Sequence, residues 1–343
     1  MPQPRRTQAA RLTSRQIAAL SGVSQTTVSR VLADHPNVSA DTRRRVLDVL
    51  AETGYAPNTA ARAMRTGTTG AIGVVVGRMM NPFYPELSEA LHRELSRRRR
   101  TMSMWISDGG EDDSGELAAL AAVRERAIDG VIYTTATARS ESLHAAIEVG
   151  APVVLLNRTI ARLPCDSVAT RNRAGGAAVA RHLLALGHRR LALVAGPTSV
   201  STSRERETGF REELRRQGIE LEQIARDEFT HDTGRAAVAT FDPRRRPTAV
   251  FCVSDVMAYG VLDEARAAGI AVPEALSVVG YDDASMSSWP GFALTTVRQP
   301  MQEMAALGIQ RLLERIADPD LTPRRDRLEG ELIVRGSTAA PPG

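Results

Sequence analysis

Two regimes of hydrophobic spacing divide the chain near residue 70. Before it, apolar positions recur at helical intervals: Ile17, Ala18 and Leu20, then Val28, Val31 and Leu32, then Val46, Val49 and Leu50. Thr13 or Ser14 can cap the first of these helices, Ser24 the second and Ser39 the third, because each hydroxyl can accept from a backbone N–H left unpaired in the first turn. Gly22 permits a tight turn between the first two. Pro57 stops any preceding helix, Asn58 can cap a new one, and residues 59–65 form a short helical segment with too little apolar surface to pack alone. From Ala71 the pattern becomes short apolar runs: AIGVVV (71–76), TMSMWI (101–106), GVIY (130–133), PVVLL (152–156), LALVA (191–195), AVFCV (249–253) and SVVG (277–280). Such runs, alternating with helical stretches, predict parallel sheets covered on both faces. Roughly 270 residues exceed one sheet core, so two α/β lobes with a cleft are expected.

In the second predicted helix the apolar residues face inward, leaving Gln25, Thr26, Ser29 and Arg30 outside. Helix, Gly-containing turn and second helix with polar residues at its exposed start is the arrangement that places side chains in a DNA major groove. The spacing alone equally suits an ordinary solvated helix face. Charge changes the picture. Residues 1–69 carry ten arginines against four acids, a net +6, while the whole chain is +4 and the remainder therefore −2. A basic excess confined to the first fifth favours a polyanionic partner, since phosphate neutralisation with counterion release supplies most non-specific nucleic-acid affinity.

The chain has no Lys, which removes lysine-dependent phosphate loops and Schiff bases. No GxSxG, HExxH, GxxxxGK[ST] or GxGxxG stretch is present, so the sequence offers no support for an enzyme, and no cofactor or metal is expected. No run of 18 apolar residues occurs, and MPQPRRTQAARLTSRQ lacks a signal-peptide core, so a cytoplasmic protein without membrane contact is expected. Cys165 and Cys252, far apart in apolar runs, are expected as buried thiols. In parallel α/β sheets ligands sit beyond the carboxyl ends of the strands. That directs attention to Asn81, Phe83, Tyr84, Asp108, Thr134 to Ala136, Asn157, Arg158, Ser254, Asp255, Asp282 and Asp283, although each alone is also a common cap or turn former.

The stretch LTSRQIAALSGVSQTTVSRVLADHPNVSADTRRRVLDVLAETGYAPNTAARAM resembles the DNA-binding headpiece and hinge helix of the lactose-repressor (LacI/GalR) family of bacterial transcription regulators. NPFYPEL, DGVIY, PVVLLNR, SRERETGF, LSVVGYDD, LTTVRQP and LIVRGS resemble, in order, the family's effector-binding core, which is similar to periplasmic sugar-binding proteins. The resemblance covers about residues 12–337. It implies an all-α helix-turn-helix headpiece and an α/β core of two parallel-sheet lobes. The expected divisions are a flexible basic arm (1–11), a headpiece (12–57), a hinge helix and linker (58–69), a two-lobed effector-binding and dimerisation core (70–337) and a disordered tail (338–343).

Carried over position by position, the resemblance implies base reading by Gln25, Thr26 and Arg30 and phosphate contacts by Ser24, Thr27 and Tyr55. It places Asn58 and Arg62 in a hinge helix entering the minor groove, with Met64 where the family has a wedging leucine; Met is also an intercalating side chain. Ala33 replaces a polar residue usual after the recognition helix. Effector positions are implied at Phe83, Tyr84, Thr202, Arg206, Phe229, Ser254 and Asp282. Their chemistry suits a small polar ligand: a carboxylate accepts adjacent hydroxyls, an Arg donates, and a Phe covers an apolar face. Ser254 stands where sugar-responsive members often carry Asn, and Arg171 where Asp or Glu is common; with Arg78 and Glu86 these suit an acidic sugar or another anion, or else face solvent. The implied function is a repressor that binds a palindromic operator as a homodimer and is switched by a sugar. A purine- or nucleoside-responsive repressor is the alternative within the architecture, and a solute-binding protein or cleft enzyme the alternative outside it. The ending RGSTAAPPG does not continue a tetramerising helix, so a dimer is expected.

Overall fold

The computed structural model describes residues 12–32, 35–55, 67–107, 114–221, 223–242 and 245–342. It divides into two compact units, Met1–Thr69 and Gly70–Gly343. Ala33, Asn58, Arg62, Met64 and Asp108 lie outside the described residues.

The first unit holds α1 (Ser14–Leu20), α2 (Gln25–Leu32) and α3 (Ala40–Thr53). Thr13, not Ser14, caps α1 in a reciprocal box with Gln16. Gly22 takes φ +63°, a left-handed conformation that the α1–α2 turn requires and that a side chain would strain. Ser24 Oγ accepts from Thr27 N (3.1 Å), Ser39 Oγ accepts from Thr42 N (3.3 Å), and α3 ends on a left-handed Gly54. Ile17, Ala18, Val28, Val31 and Val46 make the buried core. Leu20 and Leu32 depart from the expected inward face, being 59% and 38% exposed. Each is the last residue of its helix, beyond the reach of a core this small.

The second unit has two lobes. The first is a six-stranded parallel sheet ordered β11-β5-β4-β3-β1-β2, with β1 (Ala71–Val76), β2 (Thr101–Ile106), β3 (Gly130–Tyr133), β4 (Val153–Leu156), β5 (Asp166–Thr170) and β11 (Arg325–Leu328). Its helices are α4 (Phe83–Arg97), α5 (Ser114–Arg124), α6 (Glu141–Glu148) and the late-returning α11 (Met301–Ala317). The second lobe is a parallel sheet ordered β7-β6-β8-β9, with β6 (Leu191–Ala195), β7 (Gln223–Arg226), β8 (Ala249–Cys252) and β9 (Ser277–Val279), covered by α7 (Asn172–Ala185), α8 (Ser201–Arg216), α9 (His231–Ala239) and α10 (Asp255–Ala267). An antiparallel pair, β10 (Thr296–Arg298) and β12 (Glu331–Ile333), completes it.

The chain crosses between lobes after β5, after β10 and after β11, so both lobes are assembled from separated stretches. Every predicted strand is present; β5, β7, β10, β11 and β12 were not predicted. β5 begins with fully buried Asp166, which accepts from Arg315 Nη2 (2.9 Å) and Arg324 N (2.8 Å), so a central strand starts on a charge. Both cysteines are free and buried, but Cys165 lies in the turn before β5 rather than in a strand. The tail is not free from 338. His182 hydrogen-bonds Thr338 Oγ1 (3.1 Å), His188 hydrogen-bonds Ala339 O (2.9 Å), and Ala339 N donates to Ser277 Oγ (3.0 Å).

Candidate effector cavity and DNA-reading helix

On the first unit, α2 turns Gln25, Thr26 and Arg30 to solvent while Val28 and Val31 pack beneath. Gln25 Nε2 donates to Ser14 Oγ (2.8 Å), which ties the side chain to the start of α1. Ser24 and Thr27 pair through their hydroxyls (2.9 Å), and Tyr55 is half-buried against the core. Gln25 and Thr26 stand outward in the first turn of α2 and Arg30 in its last, on a helix whose opposite side is anchored. That geometry can present donors and acceptors to base edges.

In the second unit, a narrow cavity of about 20 Å³ lies where the carboxyl ends of both sheets meet. Its lining contains all seven expected effector residues, Phe83, Tyr84, Thr202, Arg206, Phe229, Ser254 and Asp282, together with Asn81, Asn157 and Arg158. Asn81 Oδ1 accepts from Phe83 N (3.1 Å) and starts α4, putting Phe83 and Tyr84 at the cavity edge with rings 5.4 Å apart and edge to face. Gly77 makes room for Tyr84: a Cβ there would lie 2.3 Å from the ring. Arg158, just past β4, donates through Nη2 to Tyr84 Oη (3.2 Å) and through Nη1 to Thr135 O.

From the other lobe, α8 brings Thr202 and, one turn on, Arg206, only 3% exposed. Arg206 donates through Nε to Asn172 Oδ1 (2.8 Å) and through Nη1 to Val253 O (2.7 Å) and Asp282 Oδ1 (3.3 Å), and lies 3.7 Å over the Tyr281 ring. Buried ion pairs persist when their remaining hydrogen-bonding groups are satisfied, and this one meets that condition. Asp282 is 4% exposed and also accepts from Gln299 Nε2 (2.7 Å). Burial pushes its carboxyl up to about 7, against the pull of Arg206 and with the push of Asp255. Its φ of +132° is one that side chains rarely adopt, and such strain persists at sites where surrounding contacts over-determine it. Ser254 Oγ and Asn157 Oδ1 are buried without partners, which marks the cavity as polar and incompletely satisfied.

Not every residue beyond a strand faces the cavity. Asp255 accepts from Thr296 Oγ1 (2.5 Å), Ser287 Oγ (2.7 Å) and Ala284 N (2.9 Å), fixing the loop before β10; burial raises its carboxyl to about 6. Arg171 pairs with Glu329 (2.6 Å) outside the lining, and Glu86 accepts from Ser285 N (2.8 Å) and Oγ (2.7 Å) across the lobes. Arg78 lines a neighbouring outer space of about 100 Å³ that shares Asn81, Tyr84, Arg158 and Phe229 with the cavity. Gln299 carried no sequence signal beyond its motif LTTVRQP, because its role depends on a bond to Asp282 formed only in the fold. Among the described residues no cluster of His, Cys, Asp or Glu is arranged to hold a metal ion, and no helix is long and apolar enough to cross a membrane.

A helix-turn-helix unit on one chain with a two-lobed α/β core closing on a polar cavity defines a ligand-responsive DNA-binding regulator. Residues 13–58 match bacterial regulatory proteins of the lacI family, and residues 180–338 match the periplasmic binding protein-like domain. The HTH-type transcriptional regulator DegA of Bacillus subtilis (strain 168) is 30% identical over 328 residues, 94% of this chain and 97% of that protein. Among solved structures, the transcriptional regulator CelR–cellobiose complex aligns with a TM-score of 0.73 at 30% identity, covering 95% of this chain and 100% of the other. The lac repressor dimer bound to operator and the anti-inducer ONPF aligns with a TM-score of 0.80 at 26% identity, covering 96% and 99%. The chain belongs to the lacI family, whose members are transcription regulators rather than enzymes.

Proposed function

We propose that this regulator is a repressor that binds a palindromic operator as a homodimer and releases it when a sugar occupies the cavity. The observation that carries the ligand reading is the Arg206–Asp282 pair, buried yet lining a cavity with unpartnered hydroxyl and amide oxygens. Asp282 accepts adjacent sugar hydroxyls, Arg206 holds and partly neutralises it, Thr202 and Ser254 add hydrogen bonds, and Phe83, Tyr84 and Phe229 cover apolar ring faces. The CelR complex with cellobiose supports the same class.

Gln25, Thr26 and Arg30 read bases, while Ser24, Thr27 and Tyr55 hold phosphates. Asn58, Arg62 and Met64, outside the described residues, contact the minor groove. Dimerisation is supported by exposed apolar side chains, Met104 and Ile106 on the edge strand β2 and Trp289 on the other lobe. A two-fold protein matches a two-fold DNA site. Ligand binding alters the angle between lobes, and an inducer must prefer the DNA-incompetent state.

The test uses duplexes from the promoters of this gene and its neighbours. Fluorescence anisotropy at physiological salt is expected to find a palindromic site bound well above random DNA, and a metabolite panel to find a sugar that releases it. Binding no tighter than to random DNA would remove the regulator reading. Release by purines alone would replace the sugar with a flat ring seated against Phe229.

A further inference from the structure

Two arginines are buried among the described residues, Arg158 and Arg206. Arg206 has its counter-charge in Asp282 at 3.3 Å. Arg158 has none. It is 9% exposed, and its two terminal nitrogens donate to uncharged groups, the Thr135 carbonyl and the Tyr84 hydroxyl. Its Nε is buried with no partner, and no described carboxylate lies within ion-pair distance. A guanidinium is always charged, and burying it without an anion is unfavourable, so folded proteins pair such groups or use them.

The position of Arg158 says what it is used for. It lines both the inner cavity and the outer space. Around these spaces lie three more buried, unpartnered polar atoms: Thr135 Oγ1, Asn157 Oδ1 and Ser254 Oγ. The Arg158 Nε–H and the two hydroxyls are donors that match the lone pairs of an oxyanion. Asp282, in the same cavity, matches hydroxyl donors.

We infer that the effector is an anionic sugar, a polyol whose hydroxyls meet Asp282 and whose carboxylate or phosphate is held by Arg158. This rests on the sugar reading of the same cavity. The ligand supplies a counter-charge that none of the described residues provides, which a neutral sugar does not.

Calorimetry on the full chain compares glucose, galactose and ribose with glucuronate, galacturonate, glucose 6-phosphate and ribose 5-phosphate. The acidic member of a matched set is expected to bind at least about tenfold tighter than its neutral parent, as charge-assisted hydrogen bonds exceed neutral ones. The uronate and phosphate arms separate the two sources of the anion. Neutral sugars binding as tightly as acidic ones would overturn this inference and leave the sugar reading standing; no binding by either kind would overturn both. Arg158→Gln is expected to abolish the preference, while Arg139→Gln, the same charge loss at an exposed site of that lobe, keeps it. A measurement needing no variant is the melting shift from inorganic phosphate over chloride at equal ionic strength. A positive shift that glucuronate or a sugar phosphate competes away supports the inference, and no excess shift contradicts it.

Discussion

At the residue scale, burial decides the behaviour of two acids, Asp282 in the cavity and Asp255 behind it. Asp255 and Asp282 both keep protons to higher pH than free carboxyls, because desolvation outweighs the donors and the guanidinium around them. A carboxyl whose folded value is raised contributes stability below its unfolded value, near pH 4, and loses it as pH rises through the folded value, here about 6 to about 7. Asp282→Asn removes one such group, so the fall in melting temperature between about pH 5 and about pH 8 is expected to shrink against the unmodified chain. The same variant loses acceptors for ligand hydroxyls and is expected to stop responding to effector; an unchanged response would put the ligand elsewhere. In the headpiece, Gln25→Ala and Thr26→Ala are each expected to cost about 1–3 kcal/mol of discrimination at the base they read, with non-specific binding kept. Competition with single-base operator variants checks this, and uniform loss on all sequences would assign the residues to backbone or fold. All seven expected cavity residues came from the family resemblance: Phe83, Tyr84, Arg206 and Asp282 sit within its motifs, whereas Thr202, Phe229 and Ser254 were carried over by position. Arg158 was flagged only by its place just past a strand, and Gln299 was not legible as a site residue, because a charge without a described partner and a bond across a lobe crossing exist only in three dimensions.

At the element scale, regular spacing and caps fixed what could be foreseen. The three headpiece helices follow from serine and threonine caps and from valines at helical intervals. The predicted strands are the ones with continuous apolar runs. β5 and β11 escaped because Asp166 opens one and the other reads RDRL; their polar residues are compensated by partners distant in sequence, such as Arg315 for Asp166 and Arg311 for Asp326. Leu20 and Leu32 were misassigned because periodicity gives direction around a helix but not how far the neighbouring core extends. That core is small, and Ile17 is fully buried in it. Ile17→Ala is expected to destabilise the first unit by about 2–5 kcal/mol. Urea titration followed by headpiece-specific proteolysis reports this, and ligand binding to the core is expected to persist.

At the scale of the whole second unit, the cavity is wired to the segments that join its lobes. Gln299, in the crossing after β10, donates to Asp282 and accepts from Thr170 Oγ1 (2.6 Å) at the end of β5; Arg206 reaches Asn172, the first residue of α7 after the β5 crossing. The lobes are also tied directly, by Glu86 to Ser285, by Thr159 N to Ser201 Oγ (2.9 Å) and by Arg327 to Glu205 (3.3 Å). A ligand that rearranges Asp282 therefore acts on the joints between lobes through contiguous hydrogen bonds. Glu86 lies outside the cavity lining, so Glu86→Ala tests closure rather than contact: effector affinity is expected to fall about three- to tenfold, the value of one or two hydrogen bonds. The most direct test of the account as a whole is an anisotropy titration of an operator duplex with the full chain, with and without the sugar found by the panel, for the unmodified protein and for Arg206→Ala. The account predicts that the sugar releases the unmodified protein from operator and leaves Arg206→Ala bound. Release of both to the same extent would contradict it, because the ligand would then act without the cavity.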